Sequence, residues 1–348
     1  TGMSPLGLGN DIGGSVRWPA QCCGMTAIRP TQGLVPHYDS TVPIEVPLAF
    51  RLFLTDGPMA RHVADLALAL SVLAGADPRD PWSVSPARTD LGGSLRIAVT
   101  TDPGGLGCDP TIAEGVRRAA DLLAGAGCRV ETIEPPAIVE AHELWGTLLG
   151  AETRTIVLPV ARSLLAADAL TVIEHLMAAF PIVDLAGYME ALARRTQVAR
   201  QWALFLDRYD VVLGPVGCLP PFRLGDDLTA AGMATIMGSM RLVTTCNLLG
   251  LPAAVVPVGT ADGLPQAVQL IAARYREDRC LAAAEIIERR AGPITPIDPR
   301  GTCAARVGGP RRESEPKKAE RRDDAAVDLG VPSRHCAGWI ADGAPEPS

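Results

Sequence analysis

The chain has 348 residues, 47% of them hydrophobic, with a mean hydropathy of +0.18, enough apolar content to bury the core of one large or two ordinary domains. A net charge of -7 and a pI near 5.3 argue against a polyanion-binding face, and so against nucleic acid as the partner. No run of 18 or more uninterrupted apolar residues offers a membrane span, and nine scattered cysteines without a Cys-x-x-Cys pair suit neither a zinc site nor a disulfide scaffold.

Residues 1–36 are glycine-rich and punctuated by Pro5, Pro19, Pro30 and Pro36, which reads as loop. The apolar spacing of residues 61–73 predicts a core helix that stops near Gly75. Residues 95–99 read as a strand, 111–123 as a helix and 129–133 as a second strand, together a β-α-β unit. Residues 139–208 are helical in pattern almost throughout, with interruptions expected at Pro159 and Pro181. Three apolar runs, 210–213, 253–258 and 267–271, suit strands of a sheet covered on both faces. A closing helix is expected over 278–290, before Gly292-Pro293. From Gly301 onward the apolar pattern gives way to a charged run, Arg311 to Lys318, that cannot bury enough surface to offset ordering. The expected organisation is an α/β domain over 1–300 followed by a disordered tail over 301–348.

The segment richest in chemical information is Gly7-Leu8-Gly9-Asn10-Asp11-Ile12-Gly13-Gly14-Ser15-Val16-Arg17-Trp18-Pro19. Counted from Gly7, the dinucleotide fingerprint needs glycine where Ile12 stands. Gly9 and Gly14 have the spacing of a P-loop, yet Ser15 occupies the place of its lysine. No nucleotide cofactor and no metal is therefore expected. A serine after two glycines suits acyl transfer instead, because glycines clear room for a substrate carbonyl and accept backbone angles that aim N–H groups at one point. If Ser15 attacks a carbonyl, the N–H groups of Ile12, Gly13, Gly14 and Ser15 are the natural oxyanion donors. The plain alternative for an isolated Gly-Gly-Ser is a tight turn. Asp11 and Arg17 flank the loop with opposite charges and are expected to brace it rather than to do chemistry. Cys22-Cys23 lies in an apolar stretch and is expected to pack as a pair of small hydrophobes.

The loop does not stand alone. Ser4-Pro5-Leu6-Gly7-Leu8-Gly9, Asp11-Ile12-Gly13-Gly14-Ser15-Val16-Arg17, Pro19-Ala20, Cys23-Gly24 and Arg29-Pro30-Thr31 are followed in order by Asp56-Gly57-Pro58-Met59-Ala60-Arg61, Val63-Ala64-Asp65, Asn247, Gly250-Leu251-Pro252-Ala253, Gly263-Leu264-Pro265 and Val268-Gln269-Leu270. In these motifs, spread over about residues 1–300, the chain resembles the amidase-signature family. The resemblance implies a mixed β-sheet core covered by helices on both faces, and hydrolysis of a small-molecule carboxylic amide through a serine acyl-enzyme, with Ser15 as nucleophile. It also implies a relay in which a lysine takes a proton through a serine in a cis peptide. Both of those positions fall before Thr1, so the N-terminal part of the family's fold is expected to be missing. Ser4 matches a later place in the signature, and the only lysines, Lys317 and Lys318, lie in the tail. His37, His62, His142 and His175 match no catalytic position.

Two alternatives stay open: the glutaminase-type component of a tRNA-dependent amidotransferase, its A chain, and a non-catalytic fragment or pseudoenzyme. Cysteine usage fits a reducing compartment, so a cytoplasmic protein is expected, although any targeting segment could have been lost with upstream sequence. A homodimer is left open.

Overall fold

A computed structural model describes residues 4–38, 45–86 and 93–292. Within them lie the strands β1 (Leu6–Asp11), β2 (Thr26–Arg29), β3 (Thr55–Ala60), β4 (Arg96–Val99), β5 (Arg129–Thr132), β6 (Val211–Pro215), β7 (Ala253–Ala261) and β8 (Leu264–Ile271). They join in one mixed sheet of order β1-β3-β2-β7-β8-β6-β4-β5. The predicted β-α-β unit is present: β4 runs parallel to both β5 and β6, with Ile97 opposite Val130 on one side and Val211 on the other. Its crossover helix α4 (Pro110–Gly125) starts where Asp109 accepts a hydrogen bond from Thr111 N–H at 2.8 Å and Pro110 fills the first helical position, which needs no N–H. β7 and β8 form a hairpin whose turn places Asp262 and Gly263 at φ 52° and 77°, the left-handed pair that matches strand twist. The hairpin register sets Val255 opposite Gln269, which fixes the face on which Gln269 stands.

Helices cover both faces. On one, α3 (Val63–Leu73), α4 and α11 (Glu277–Ala291) pack over Ile28, Ile97, Val99, Leu213, Val256 and Leu270. On the other stand α1 (Arg17–Cys23), α2 (Leu48–Phe53), α5 (Ile138–Glu152), α8 (Leu185–Arg208) and α10 (Arg241–Leu249), over the alternate strand residues Ala98, Val212, Ala253, Val255 and Ile271. Here α5 passes through a π-helical turn, Thr153–Val157, into α6 (Leu158–Ala161), and α7 (Ala167–Ala178) and α9 (Ala230–Ser239) flank this layer. The buried Glu152 carboxylate receives the N–H groups of Ala49 and Phe50, free donors of the first turn of α2, and the Tyr188 hydroxyl.

Two expectations need correction. The described part of the 1–36 segment, residues 4–36, is not a loop but carries β1, α1 and β2. The glycines that suggested turns serve close strand packing instead: Gly9 pairs with Gly57, and a Cβ on Gly57 would sit 2.2 Å from the Ile28 carbonyl oxygen. Pro19 occupies the third residue of α1, where no intrahelical donor is required. Pro159 likewise does not end its helix, because the π-helical turn ahead of it absorbs the misfit and the break comes after Ala161. The interruption at Pro181 falls between α7 and α8. The 301–348 segment lies outside the described residues. Among those described, no helix is long and apolar enough to cross a membrane.

Candidate active site

β1 ends at Asp11, α1 begins at Arg17, and Ser15 stands exposed on the turn between them. The charged side chains on either side of Ser15, Asp11 and Arg17, are fully buried. Arg17 donates from Nε to Asp11 Oδ2 and from Nη2 to Asp11 Oδ1, both at 2.9 Å, a bidentate pair in which neither side chain is exposed. Asp11 also accepts from Gly14 N–H at 2.8 Å and Val16 N–H at 3.3 Å, so one carboxylate ties both sides of the serine. The opposite end of the Arg17 guanidinium reaches across the fold, donating to the Val243 carbonyl at 3.0 Å and Gln269 Oε1 at 2.6 Å, while Nη2 also donates to Asn247 Oδ1 at 2.6 Å. Asn247 returns its Nδ2 to the Asp11 carboxylate at 2.8 Å and to the backbone carbonyls of Asp11 and Phe53. β1, α1, α10 and β8 thus meet in one closed network.

The charges set the protonation states. Burial alone would raise the Asp11 carboxyl, but the charge and hydrogen bonds of Arg17, with Arg29 and Asn247 behind them, hold it well below the usual carboxylate range. Arg29, whose Nε lies 3.9 Å from Asp11 Oδ1, is drawn down to about 10 by burial, partly countered by Asp11. Its Nη groups are spent on the Leu251 and Phe53 carbonyls at 2.6 and 2.8 Å.

The two glycines before Ser15 are demanded by space. A Cβ on Gly13 would lie 2.7 Å from Trp145 Cζ2, and Trp145 Nε1 donates to the Ile12 carbonyl at 2.8 Å, so α5 presses the loop from one side. Gly14 combines φ 109° with a would-be Cβ only 2.4 Å from Val243 Cγ1. Gly14→Ala is expected to destabilise the protein by about 1–3 kcal/mol, through backbone strain plus overpacking. A urea unfolding midpoint unchanged from the parent would contradict this loop geometry.

One part of the expected oxyanion cradle is corrected by the geometry. Gly14 N–H is turned inward to Asp11, whereas the N–H groups of Ile12, Gly13 and Ser15 have no protein acceptor among the described residues. Arg29, Asn247 and Gln269 stand within the sequence motifs, which give them no role, and Trp145 lies outside all of those motifs. A signal for Gln269 was present: a glutamine inside a strand buried on both faces demands a polar partner across it.

Three of the four described histidines have polar partners away from Ser15, and the buried Nδ1 of the fourth, His175, has none among the described residues. His37 Nδ1 lies 2.9 Å from Asp56, His62 Nδ1 lies 3.6 Å from Glu288, and His142 Nδ1 lies 2.8 Å from Thr244 Oγ1. Burial, with the Arg241 charge second, pulls His142 to about 4, so it is neutral at pH 7. Lys317 and Lys318 lie outside the described residues. Among those described, no cluster of His, Cys, Asp or Glu could hold a metal ion.

One mixed eight-stranded sheet with helices on both faces makes this an α/β protein. The chain belongs to the amidase family, whose model, described as Amidase, matches residues 1–281. It is 39% identical over 297 residues to the indoleacetamide hydrolase of Bradyrhizobium diazoefficiens, a match that covers 84% of this chain and 57% of that protein. It is 32% identical over 320 residues to the A chain of the glutamyl-tRNA(Gln) amidotransferase of Deinococcus radiodurans, covering 82% of this chain and 64% of the relative. Among solved structures, a bacterial aryl acylamidase of the amidase signature superposes with a TM-score of 0.69 at 25% identity, over 84% of this chain and 63% of that one. The chain therefore spans less than two thirds of the length of these relatives.

Proposed function

We propose that this protein hydrolyses a small carboxylic amide through an acyl-enzyme on Ser15. Ser15 Oγ adds to the amide carbonyl, the N–H groups of Ile12, Gly13 and Ser15 receive the oxyanion, the amine or ammonia departs, and water releases the acid. Asp11, Arg17, Asn247 and Gln269 hold this loop without touching substrate. The observation that carries the reading is the contrast at the loop: Ser15 faces solvent, on a turn whose flanks are pinned to a fully buried ion pair. The higher identity to an indoleacetamide hydrolase than to an amidotransferase A chain, 39% against 32%, favours a free-standing amide hydrolase.

A fluorophosphonate probe tests the assignment, because its adduct is irreversible and accumulates even when the serine is poorly activated. Labelling is expected to be slow, to rise with pH as hydroxide substitutes for a general base, and to map to Ser15 by tandem mass spectrometry. Equal labelling of Ser15→Ala, or an adduct confined to another serine, would overturn it.

A further inference from the structure

We propose that Cys108 and Cys218 form a peroxide-responsive thiol pair that closes to a reversible disulfide beside the serine-bearing loop. Neither residue belongs to the site described above. Cys108 ends the loop that follows β4 and is partly exposed, whereas Cys218 follows β6 and is 1% exposed directly behind it. Each thiol shifts the titration of the other. Their backbones are joined as well: Asp109 N–H donates to the Cys218 carbonyl at 2.8 Å. A disulfide spans Cα atoms roughly 4.4–6.8 Å apart, a separation that hydrogen-bonded neighbouring backbones provide.

The surroundings give the two sulfurs different parts. Contact with Cys218, and secondarily the Arg241 charge, moves the Cys108 thiol below its ordinary range, while contact with Cys108 and burial push the Cys218 thiol far up. Arg241 also clamps the loop, donating from Nη2 to Asp102 at 2.7 Å and to the Gly107 carbonyl at 2.8 Å, and from Nε to the Pro103 carbonyl. Between these anchors Gly104, Gly105 and Gly107 all have positive φ, which lets the loop adjust as an S–S bond forms. The other described cysteines lack this combination. Cys22 and Cys23 are adjacent within α1, with the Cys22 thiol pushed up to about 11 by burial, and the Cys128, Cys246 and Cys280 thiols are all raised by burial.

The chemistry balances with hydrogen peroxide as oxidant. Cys108 thiolate attacks one peroxide oxygen, the O–O bond breaks, and hydroxide leaves and takes a proton to become water, leaving a sulfenic acid. Cys218 sulfur then attacks Cys108 sulfur, and the S–O bond breaks as hydroxide departs with the Cys218 proton. Two thiols and one peroxide give one disulfide and two waters, and a dithiol reductant reverses the product. The bond would fix the end of β6 at a sensitive point. Val216 packs on Val16 and Val243, and a Cβ on Gly217 would meet the Trp18 ring at 2.5 Å, three residues after Ser15.

The full chain, treated with hydrogen peroxide and then alkylated under denaturing conditions, is expected to fall from nine free thiols to seven. Non-reducing tryptic mapping should show peptide 97–117 cross-linked to 209–223, and dithiothreitol should restore nine thiols. In Cys218→Ala, dimedone should trap a sulfenic acid on Cys108, and Cys108→Ala should keep its eight thiols. Retention of all nine thiols by the parent, pairing of other cysteines, or Cys108 driven to sulfinic acid without the cross-link would overturn the proposal.

Discussion

Asp11→Asn is expected to cost the fold about 3–5 kcal/mol, enough to lower the melting temperature by on the order of 10 °C. Asparagine keeps the shape and can still accept from Gly14, but it removes the one carboxylate that stands between two buried guanidiniums. Arg17 is paired to Asp11 at 2.9 Å and Arg29 lies 3.9 Å away, so the cluster already carries two positive charges against one negative. Without Asp11 both cations stay in a region closed to water, and attraction turns into repulsion. A double substitution, Asp11→Asn with Arg17→Met, should be less damaging than the sum of the single changes, because the second removes the orphaned charge. Thermal and urea unfolding would decide this: a Tm within about 2 °C of the parent for Asp11→Asn would show that the pair adds little beyond packing.

The same carboxylate predicts a pH signature. Asp11 is held well below the usual carboxylate range in the fold, whereas in the unfolded chain it titrates near 4. The unfolded state therefore binds the proton first as pH falls. Stability from Asp11 is fully present above about pH 4 and drains away as pH drops toward the folded-state value. The acid limb of the stability profile should be shallower in Asp11→Asn than in the parent.

Elements with clean periodicity are legible in the sequence. α3, α4 and α11 show their apolar stripes, and β6, β7 and β8 are short apolar runs, so each falls within a few residues of its predicted place. β1 and β3 are not legible, because Leu6-Gly7-Leu8-Gly9 and Asp56-Gly57-Pro58 carry the residues of turns, and only the closeness of neighbouring strands explains their glycines. The candidate site divides in the same way. Asp11, Ser15 and Arg17 share one short stretch of chain, so local sequence exposes their pairing. The contacts that complete the network come from Val243, Asn247 and Gln269, more than 220 residues away, and no local pattern states which of them Arg17 will meet. Nor could spacing reveal that Gly14 N–H turns inward. That follows from φ 109°, which Val243 and Asp11 impose together.

The 348-residue chain by itself is expected to give no measurable turnover of stable amides, although it holds the proposed nucleophile and the three proposed oxyanion donors. A serine hydroxyl is a weak nucleophile at neutral pH until a neighbouring base takes its proton. No side-chain hydrogen bond to Ser15 Oγ is made among the described residues, His37, His62 and His142 are engaged with Asp56, Glu288 and Thr244, His175 lies on α7, and the chain's two lysines lie at 317 and 318. Oxyanion donors and binding alone sustain only about 10³–10⁴-fold acceleration over water in serine hydrolases stripped of their relay. Spontaneous amide hydrolysis is so slow that this leaves nothing to detect in an assay of hours. The measurement is release of ammonia or amine from a panel of aliphatic and aryl amides, indoleacetamide included, with Ser15→Ala as background. A chimera extended ahead of Thr1 with N-terminal residues of the Bradyrhizobium indoleacetamide hydrolase should gain Ser15-dependent turnover. Turnover by the unextended chain that vanishes in Ser15→Ala would sink the idea, and would mean that a base within these 348 residues already serves Ser15.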